Sequence, residues 1–151
     1  MPRENFPAVP LVADDRARWA ELWRGYLTFY ETTRPDDIYD ATWARIMDPN
    51  GSIRALGVRD ANGRLVGITH YLFHPHAWYT ADACYLQDLF VDAAVRGRGY
   101  ARALIEGVAD VARGRDCCRL YWTTQDTNAT ARRLYDQVAV NRGFIRYEYP
   151  L

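Results

Sequence analysis

Leu89-Phe90-Val91-Asp92-Ala93-Ala94-Val95-Arg96-Gly97-Arg98-Gly99-Tyr100-Ala101 joins an apolar β-type run to a helical pattern through a short loop and two glycines. Glycine lets the main chain bend sharply and approach a ligand closely. The first turn of a helix carries N–H groups without intrahelical partners and the positive end of the helix dipole, and together these favour an anion. Arg96, Arg98 and Arg102 add positive charge at the same place. The stretch therefore predicts a phosphate-binding turn at the end of a strand. It is not a P-loop, because no Gly-Lys-Ser/Thr follows, and it lacks the full Gly-x-Gly-x-x-Gly of a dinucleotide fingerprint.

The elements on either side extend the same pattern. Upstream, residues 84–91 predict a long strand rich in Tyr, Leu, Phe and Val. Residues 53–58 and 65–73 flank Asp60-Ala61-Asn62-Gly63, and Asn62-Gly63 tolerates positive φ, so the three segments predict a hairpin. Residues 6–12 predict an edge strand limited by Pro7 and Pro10. Residues 14–30 and 36–47 predict helices. In the first, Trp19, Leu22, Trp23, Tyr26, Phe29 and Tyr30 recur at helical spacing as an aromatic stripe on the core, with Tyr26 and Tyr30 able to face a pocket. Downstream come a helix from about Gly99 to Gly114, a short strand over 119–124 opened by a packed Cys117-Cys118, and a helix N-capped by Asn128. Residues 144–149 predict a closing strand. The order predicts a single α/β domain over residues 1–151, its mixed sheet covered by helices.

Composition bounds the function. The 151 residues suffice for one domain with a real core, and 49% hydrophobic content excludes a disordered chain. Acidic and basic residues balance at 19 each, and all 19 basic residues are Arg, which reads as a composition effect. Residues 1–95 hold 9 Arg against 13 Asp and Glu, and residues 96–151 hold 10 Arg against 6, so the halves carry −4 and +4. A pI near 6.8 excludes a broadly basic nucleic-acid binder and leaves room for a local anion site in the last third. No apolar run approaches the ~18–20 residues that span a bilayer, and no signal-peptide core follows Met1, so a cytoplasmic protein without membrane contact is expected. Cys84, Cys117 and Cys118 are odd in number and lack metal-ligand spacing. His70 and His74 would stand about 13 Å apart on a strand, too far to share an ion. No metal is expected, and the histidines are assigned to the surface or to an acceptor-facing loop.

Arg96-Gly97-Arg98-Gly99-Tyr100-Ala101 matches the Arg/Gln-x-x-Gly-x-Gly/Ala signature, and Asn128 through Tyr135 matches Asn-x-x-Ala-x-x-x-Tyr. Together with Leu89-Phe90-Val91 upstream, these motifs resemble the GNAT superfamily of N-acetyltransferases, over about 50 residues of the chain. Tyr85-Leu86-Gln87-Asp88-Leu89-Phe90-Val91 is most similar to the branch that acetylates histone tails and polyamines. The resemblance implies the GNAT fold, with a central sheet splayed at the cofactor strand, and acetyl-CoA as co-substrate. It places the pantetheine arm along Leu89, Phe90 and Val91 and the pyrophosphate on the N–H groups from Gly97 to Ala101. Arg96, Arg98 and Arg102 stand nearby, and Asn128 hydrogen-bonds the arm or the acetyl end. It also implies direct attack of the acceptor amine on the thioester, a strand N–H such as that of Val91 polarising its oxygen, and Tyr135 as the acid that protonates the leaving thiolate.

Two departures accompany the match. Where the polyamine branch often has Tyr-Leu-Glu-Asp, this chain has Gln87, which accepts no proton; Asp88, expected on the opposite sheet face, is the catalytic candidate acting through a water, the alternatives being that it only orients the strand or the amine or that proton loss needs no dedicated side chain. Seven residues, Asp136 to Arg142, separate the acid from the Gly143-Phe144 pair, more than in the common family form, which predicts a longer helix end that reshapes the channel. Tyr26, Tyr30, Glu31 and Gln87 are the expected acceptor contacts, with Asp36, Asp37, Asp40, His74, His76, Trp78 and Tyr79 in the same region. Carboxylates with aromatics suit a cationic amine, whether a small amine, a polyamine or a lysine side chain of a peptide. The resemblance further implies a homodimer. The alternative is a catalytically degenerate acyl-CoA-binding regulatory module, for which Gln87 is the main support.

Overall fold

The computed structural model describes residues 5–151. Its sheet has the order β1-β2-β3-β4-β5, formed by Val9–Pro10, Arg54–Arg59, Leu65–His74, Ala83–Val91 and Arg119–Tyr121. The first four strands pair antiparallel and β5 joins β4 in parallel, so the sheet is mixed. Four helices flank it: α1 at Arg16–Phe29, α2 at Asp36–Met47, α3 at Tyr100–Gly114 and α4 at Ala129–Val138. Among the described residues no helix is long and apolar enough to cross a membrane.

The side-chain periods decide which helix covers which face. Trp19, Leu22, Trp23 and Leu27 of α1 recur every three or four residues and pack with Tyr39 and Trp43 of α2 over Leu65 and Ile68. Phe29 falls outside this stripe and is exposed, and Leu27 takes the buried place. On the other face, Leu104, Ile105, Val108 and Ala112 of α3 pack on Leu56, Val58, Val66, Tyr71, Cys84 and Leu86. Leu134, Tyr135 and Val138 of α4 lie half-buried against that second cluster. The hairpin between β2 and β3 turns as expected. The Asp60 carboxylate accepts from the Asn62 and Arg64 N–H groups at 2.9 and 3.0 Å, and Gly63 takes φ 80°.

Several expected elements are shorter or absent. The edge strand shrinks to Val9–Pro10, since Pro7 and Pro10 donate no ladder bonds, and Phe6 packs on Tyr100 at 4.3 Å instead. The strand expected over 119–124 stops at Tyr121. The closing strand over 144–149 does not form: that segment is irregular, and Phe144, Ile145, Tyr147 and Tyr149 are exposed. Alternation makes a strand only where a neighbour completes the backbone hydrogen bonds, and among the described residues none does so. The longer helix end is also absent. α4 ends at Val138, and the chain then turns at Gly143, whose φ is 80° and whose N–H donates to the Asn141 side chain at 2.9 Å.

One buried-edge cluster holds α1 to the end of β4. The Arg18 guanidinium donates to the Leu65 carbonyl at 2.9 Å and to Asp92 Oδ2 at 2.6 Å. Asp92 also accepts from the Ala94 N–H at 3.0 Å, capping the 3-10 turn Ala93–Val95 that leads into the glycine loop. The Ala94 N–H and then the Arg18 guanidinium hold the Asp92 carboxyl below its ordinary range. A depressed carboxyl stabilises the fold above its unfolded pKa, and that contribution is lost as pH falls through the folded value. Asp92→Ala should therefore lower unfolding stability by about 1 kcal/mol at neutral pH, as loss of a capping acceptor does. In urea titrations at decreasing pH, the gap to wild type should close below about pH 4.

Candidate active site

The site begins with an irregularity in β4. β3 and β4 pair Asp88 with His70 but Leu86 with Tyr71, so Gln87 is one residue too many in β4. Such a bulge reverses which face the following side chains occupy. Before it, Cys84 and Leu86 face α3; after it, Leu89 and Val91 do. Asp88 is therefore on the α1 face, not the opposite one from the expected acceptor side. Gln87 and Asp88 both line a cleft of about 400 Å³, together with Tyr26, Tyr30, Tyr85, Thr123, Thr124, Gln125 and Arg146.

Asp88 is anchored at two points. Its backbone carbonyl accepts from Thr69 Oγ1 at 2.8 Å, and its Oδ2 lies 2.8 Å from His70 Nδ1. The Tyr26 and Tyr30 phenols lie close to it, and burial first, then the Asp88 charge, pushes both above the ordinary phenol range. The cleft thus presents one carboxylate among neutral phenols, an arrangement that attracts a cationic amine by charge and by cation–π contact.

The cleft opens where the sheet splays. Ala83, Cys84 and Tyr85 pair with Arg119, Leu120 and Tyr121, and beyond that point β4 has no β5 partner. Leu86 to Val91 therefore present an unpaired main-chain edge, opposite Thr123 to Gln125. At the end of this edge, Gly97 and Gly99 take φ 80° and 93°, conformations that side chains with a Cβ resist. A Cβ built at either would meet nothing within 4 Å, so the space above both glycines is open. Gly99 caps α3 with no side-chain hydrogen bond, and the first helical bond runs from the Ala103 N–H to the Gly99 carbonyl. The N–H groups from Tyr100 to Arg102 thus lack helical partners and fit an anionic group. Arg96 does not project freely. It donates to the Val91 carbonyl at 3.1 Å and lies 5.3 Å over the Phe90 ring. Arg102 donates to Gln137 at 2.8 Å, tying α3 to α4, and with Arg98 it lines a second hollow beside the start of α3.

α4 brings the second motif to the same region. Asn128 caps the helix through its side-chain oxygen, with Ala131 N–H donating at 3.4 Å, and its amide nitrogen lies 3.4 Å from Thr124 Oγ1 on the cleft wall. Tyr135 packs edge-on against Trp122, with ring centroids 5.4 Å apart. Burial, and then the neighbouring Tyr30, raises its phenol above the ordinary range, which keeps it protonated at neutral pH. Burial pushes the Cys84 thiol up to about 12, so this cysteine is not a ready nucleophile.

Other expected residues stand elsewhere. Glu31 lies beyond the end of α1 with φ 56° and outside the cleft lining. Asp36 and Asp37 are an exposed helix start, and Asp40 pairs with Arg16. His74 bonds Tyr121 at 2.7 Å in an exposed position, and His76 contacts Trp78 and Tyr79 in a loop. His70 departs from the surface assignment: it is buried behind Asp88. The face of Asp88, in contrast, was readable in the shift of apolar residues from even to odd numbers along β4. Arg146 and Thr123 to Gln125 carry no local motif. Among the described residues no group of three or more His, Cys, Asp or Glu is placed to hold a metal ion.

The sequence model of the acetyltransferase (GNAT) family matches residues 17–139. The D-amino-acid N-acetyltransferase HPA3 of Saccharomyces cerevisiae is 33% identical over 135 residues, which cover 89% of this chain and 84% of that protein. The L-2,4-diaminobutyric acid acetyltransferase of Streptomyces coelicolor is 30% identical over 142 residues, covering 89% and 73%. A solved ribosomal-protein-alanine N-acetyltransferase from Brucella melitensis biovar Abortus 2308 superposes with a TM-score of 0.77 at 27% identity, over 97% of this chain and 99% of that one. Splayed sheet, glycine loop, both motifs and these relatives agree: the chain belongs to the GNAT family and is an N-acetyltransferase.

Proposed function

We propose that the protein transfers an acetyl group from acetyl-CoA directly to the primary amine of a small molecule, and that a free amino acid is the acceptor its cleft fits best. The observation that carries this reading is the pair Asp88 and Arg146 lining one cleft where β4 leaves β5, with Arg146 also paired to Glu148, a partner that an acceptor carboxylate would have to share or displace. An acceptor with an ammonium and a carboxylate matches that anion and cation, whereas a polyamine leaves Arg146 opposed to a like charge. The names of the two sequence relatives above, both of which describe amino-acid acetyltransferases, agree with it.

Acetyl-CoA, when bound, supplies a thioester carbonyl whose carbon forms the new C–N bond as the C–S bond breaks. The open main-chain edge of Leu89, Phe90 and Val91 positions that group, with the Val91 N–H as the donor to its oxygen. The N–H groups from Gly97 to Ala101 hold its phosphates, with Arg98 alongside, and Asn128 is a polar partner on the opposite wall. An amine of pKa roughly 10 arrives protonated at neutral pH. Asp88 orients it and receives its proton, which Gln87 cannot do. Tyr135 donates its phenolic proton to the departing sulfur, and its raised pKa keeps it in the acid form. A homodimer is part of the same proposal. It is supported by the exposed apolar side chains of residues 144–149 and by the outer edge of β5, which pairs with no strand among the described residues.

Tyr135→Phe should lower kcat about 10²-fold in a thiol-release assay with the KM for acetyl-CoA unchanged, and should abolish the alkaline limb of the wild-type pH profile. Unchanged turnover would remove Tyr135 as the acid. In a turnover screen of D- and L-amino acids, polyamines, aminoglycosides and lysine peptides, amino acids should be preferred. Arg146→Ala should raise KM for an amino acid about tenfold or more and leave its decarboxylated amine unaffected, as loss of a charge-assisted contact predicts. Turnover of polyamines alone would overturn the acceptor assignment, and tight CoA binding with no turnover of any amine would favour the regulatory module. Sedimentation equilibrium of the full chain should give twice the monomer mass of 17.4 kDa.

A further inference from the structure

His70 is a titratable side chain in the interior that the steps above do not use. It is 2% exposed, and Trp19, beside it, is 0% exposed. The Trp19 indole Nε1 lies 2.9 Å from His70 Nε2, and His70 Nδ1 lies 2.8 Å from Asp88 Oδ2. We propose that Trp19 and His70 form a positioning pair that fixes Asp88 as an oriented carboxylate facing the acceptor amine. The inference rests on the role of Asp88 proposed above.

The donor and acceptor capacities of the four atoms decide where the protons sit. An indole nitrogen only donates, so His70 Nε2 must accept and carries no proton. The neutral imidazole then holds its proton on Nδ1, which donates to Asp88 Oδ2. One tautomer satisfies all four atoms, and the alternative sets two donors face to face at Nε2 and two acceptors at Nδ1. Trp23 also flanks the imidazole, at 5.9 Å between ring centroids, but its indole N–H has no partner. Trp19 alone therefore selects the tautomer.

Two consequences follow for the amine. Oδ2 is committed to His70, so the carboxylate cannot rotate freely, and its remaining oxygen is left for the amine and the adjacent Tyr26. A hydrogen on Nε2 would face the Trp19 N–H, so it is the bare nitrogen that meets the indole. The Nδ1–H bond then holds Asp88 in one orientation toward the ammonium. The bulge at Gln87 makes the arrangement possible, because it turns Asp88 toward α1, where Trp19 stands. Burial alone asks that both ring nitrogens be bonded; what ties the pair to the cleft is that the Nδ1 partner is Asp88, which lines it.

The test uses the full chain with the best amine from the screen. His70→Asn keeps an N–H donor near the position of Nδ1, and His70→Leu removes it. His70→Leu should lower kcat about 10²-fold, the effect of misplacing a reacting group, with the KM for acetyl-CoA unchanged. His70→Asn should recover most of that loss. In the Asp88→Asn background, His70→Leu should have no further effect, since the pair acts only through Asp88. Histidine ¹⁵N NMR of the wild-type protein should find Nδ1 protonated and Nε2 bare. Wild-type kcat in His70→Leu, equal losses in the folded Asn and Leu variants, additive losses in the double variant, or a proton on Nε2 would each overturn the proposal. The NMR readout needs no acceptor and no variant. A wild-type protein that acetylates no amine would thus refute the proposed function while the tautomer still decides the pairing.

Discussion

Between Leu86 and Asp88 the fourth strand carries one residue that its neighbour does not match, and the geometry of the cleft depends on that insertion. A strand alternates its side chains strictly, so one extra residue exchanges the faces of everything beyond it. Without it, Asp88 would face α3 inside an apolar cluster, where an unpaired carboxylate is strongly disfavoured. With it, Asp88 stands among tyrosines from α1 and is bonded by His70, while Leu89 and Val91 continue the core on the other face.

The second constraint is the parting of β4 and β5 after Tyr85. An unpaired strand edge is a liability in most folds, because it invites association with another chain. Here it is short, it lies inside the molecule between two walls, and it ends at a glycine loop whose N–H groups are also unpaired. The two sets of unpaired main-chain groups are continuous. They suit one extended ligand with amide groups along its length and phosphates at its end.

Charge is distributed in the same sense, though less simply than the split between residues 1–95 and 96–151 implies. Of the arginines near the loop, Arg96 is engaged with the Val91 carbonyl and Phe90, and Arg102 joins α3 to α4. The anionic side of the cleft is a single residue, Asp88, and not the acidic start of α2. Arg146 comes from the cationic half but stands in the acceptor cleft, which block charges could not foretell.

By itself the sequence determined the family motifs, the hairpin turn, the two apolar helix faces and the glycine loop. Each of these depends on residues within a few positions of one another: Asn62-Gly63, Asn128 to Tyr135, Arg96 to Ala101. The phase shift in β4 was also written there, in Cys84 and Leu86 followed by Leu89 and Val91. It acquires meaning only against the register of β3. The tertiary structure decided the rest, because the rest depends on partners far apart in the chain. Phe144 to Tyr149 alternate as a strand does, but among the described residues no neighbouring strand completes their hydrogen bonds. His70 looked like a surface histidine until Trp19, 51 positions away, came within 2.9 Å of its ring. Hydrogen bonds are short and directional, so which polar groups form a site is settled only when packing brings their atoms together.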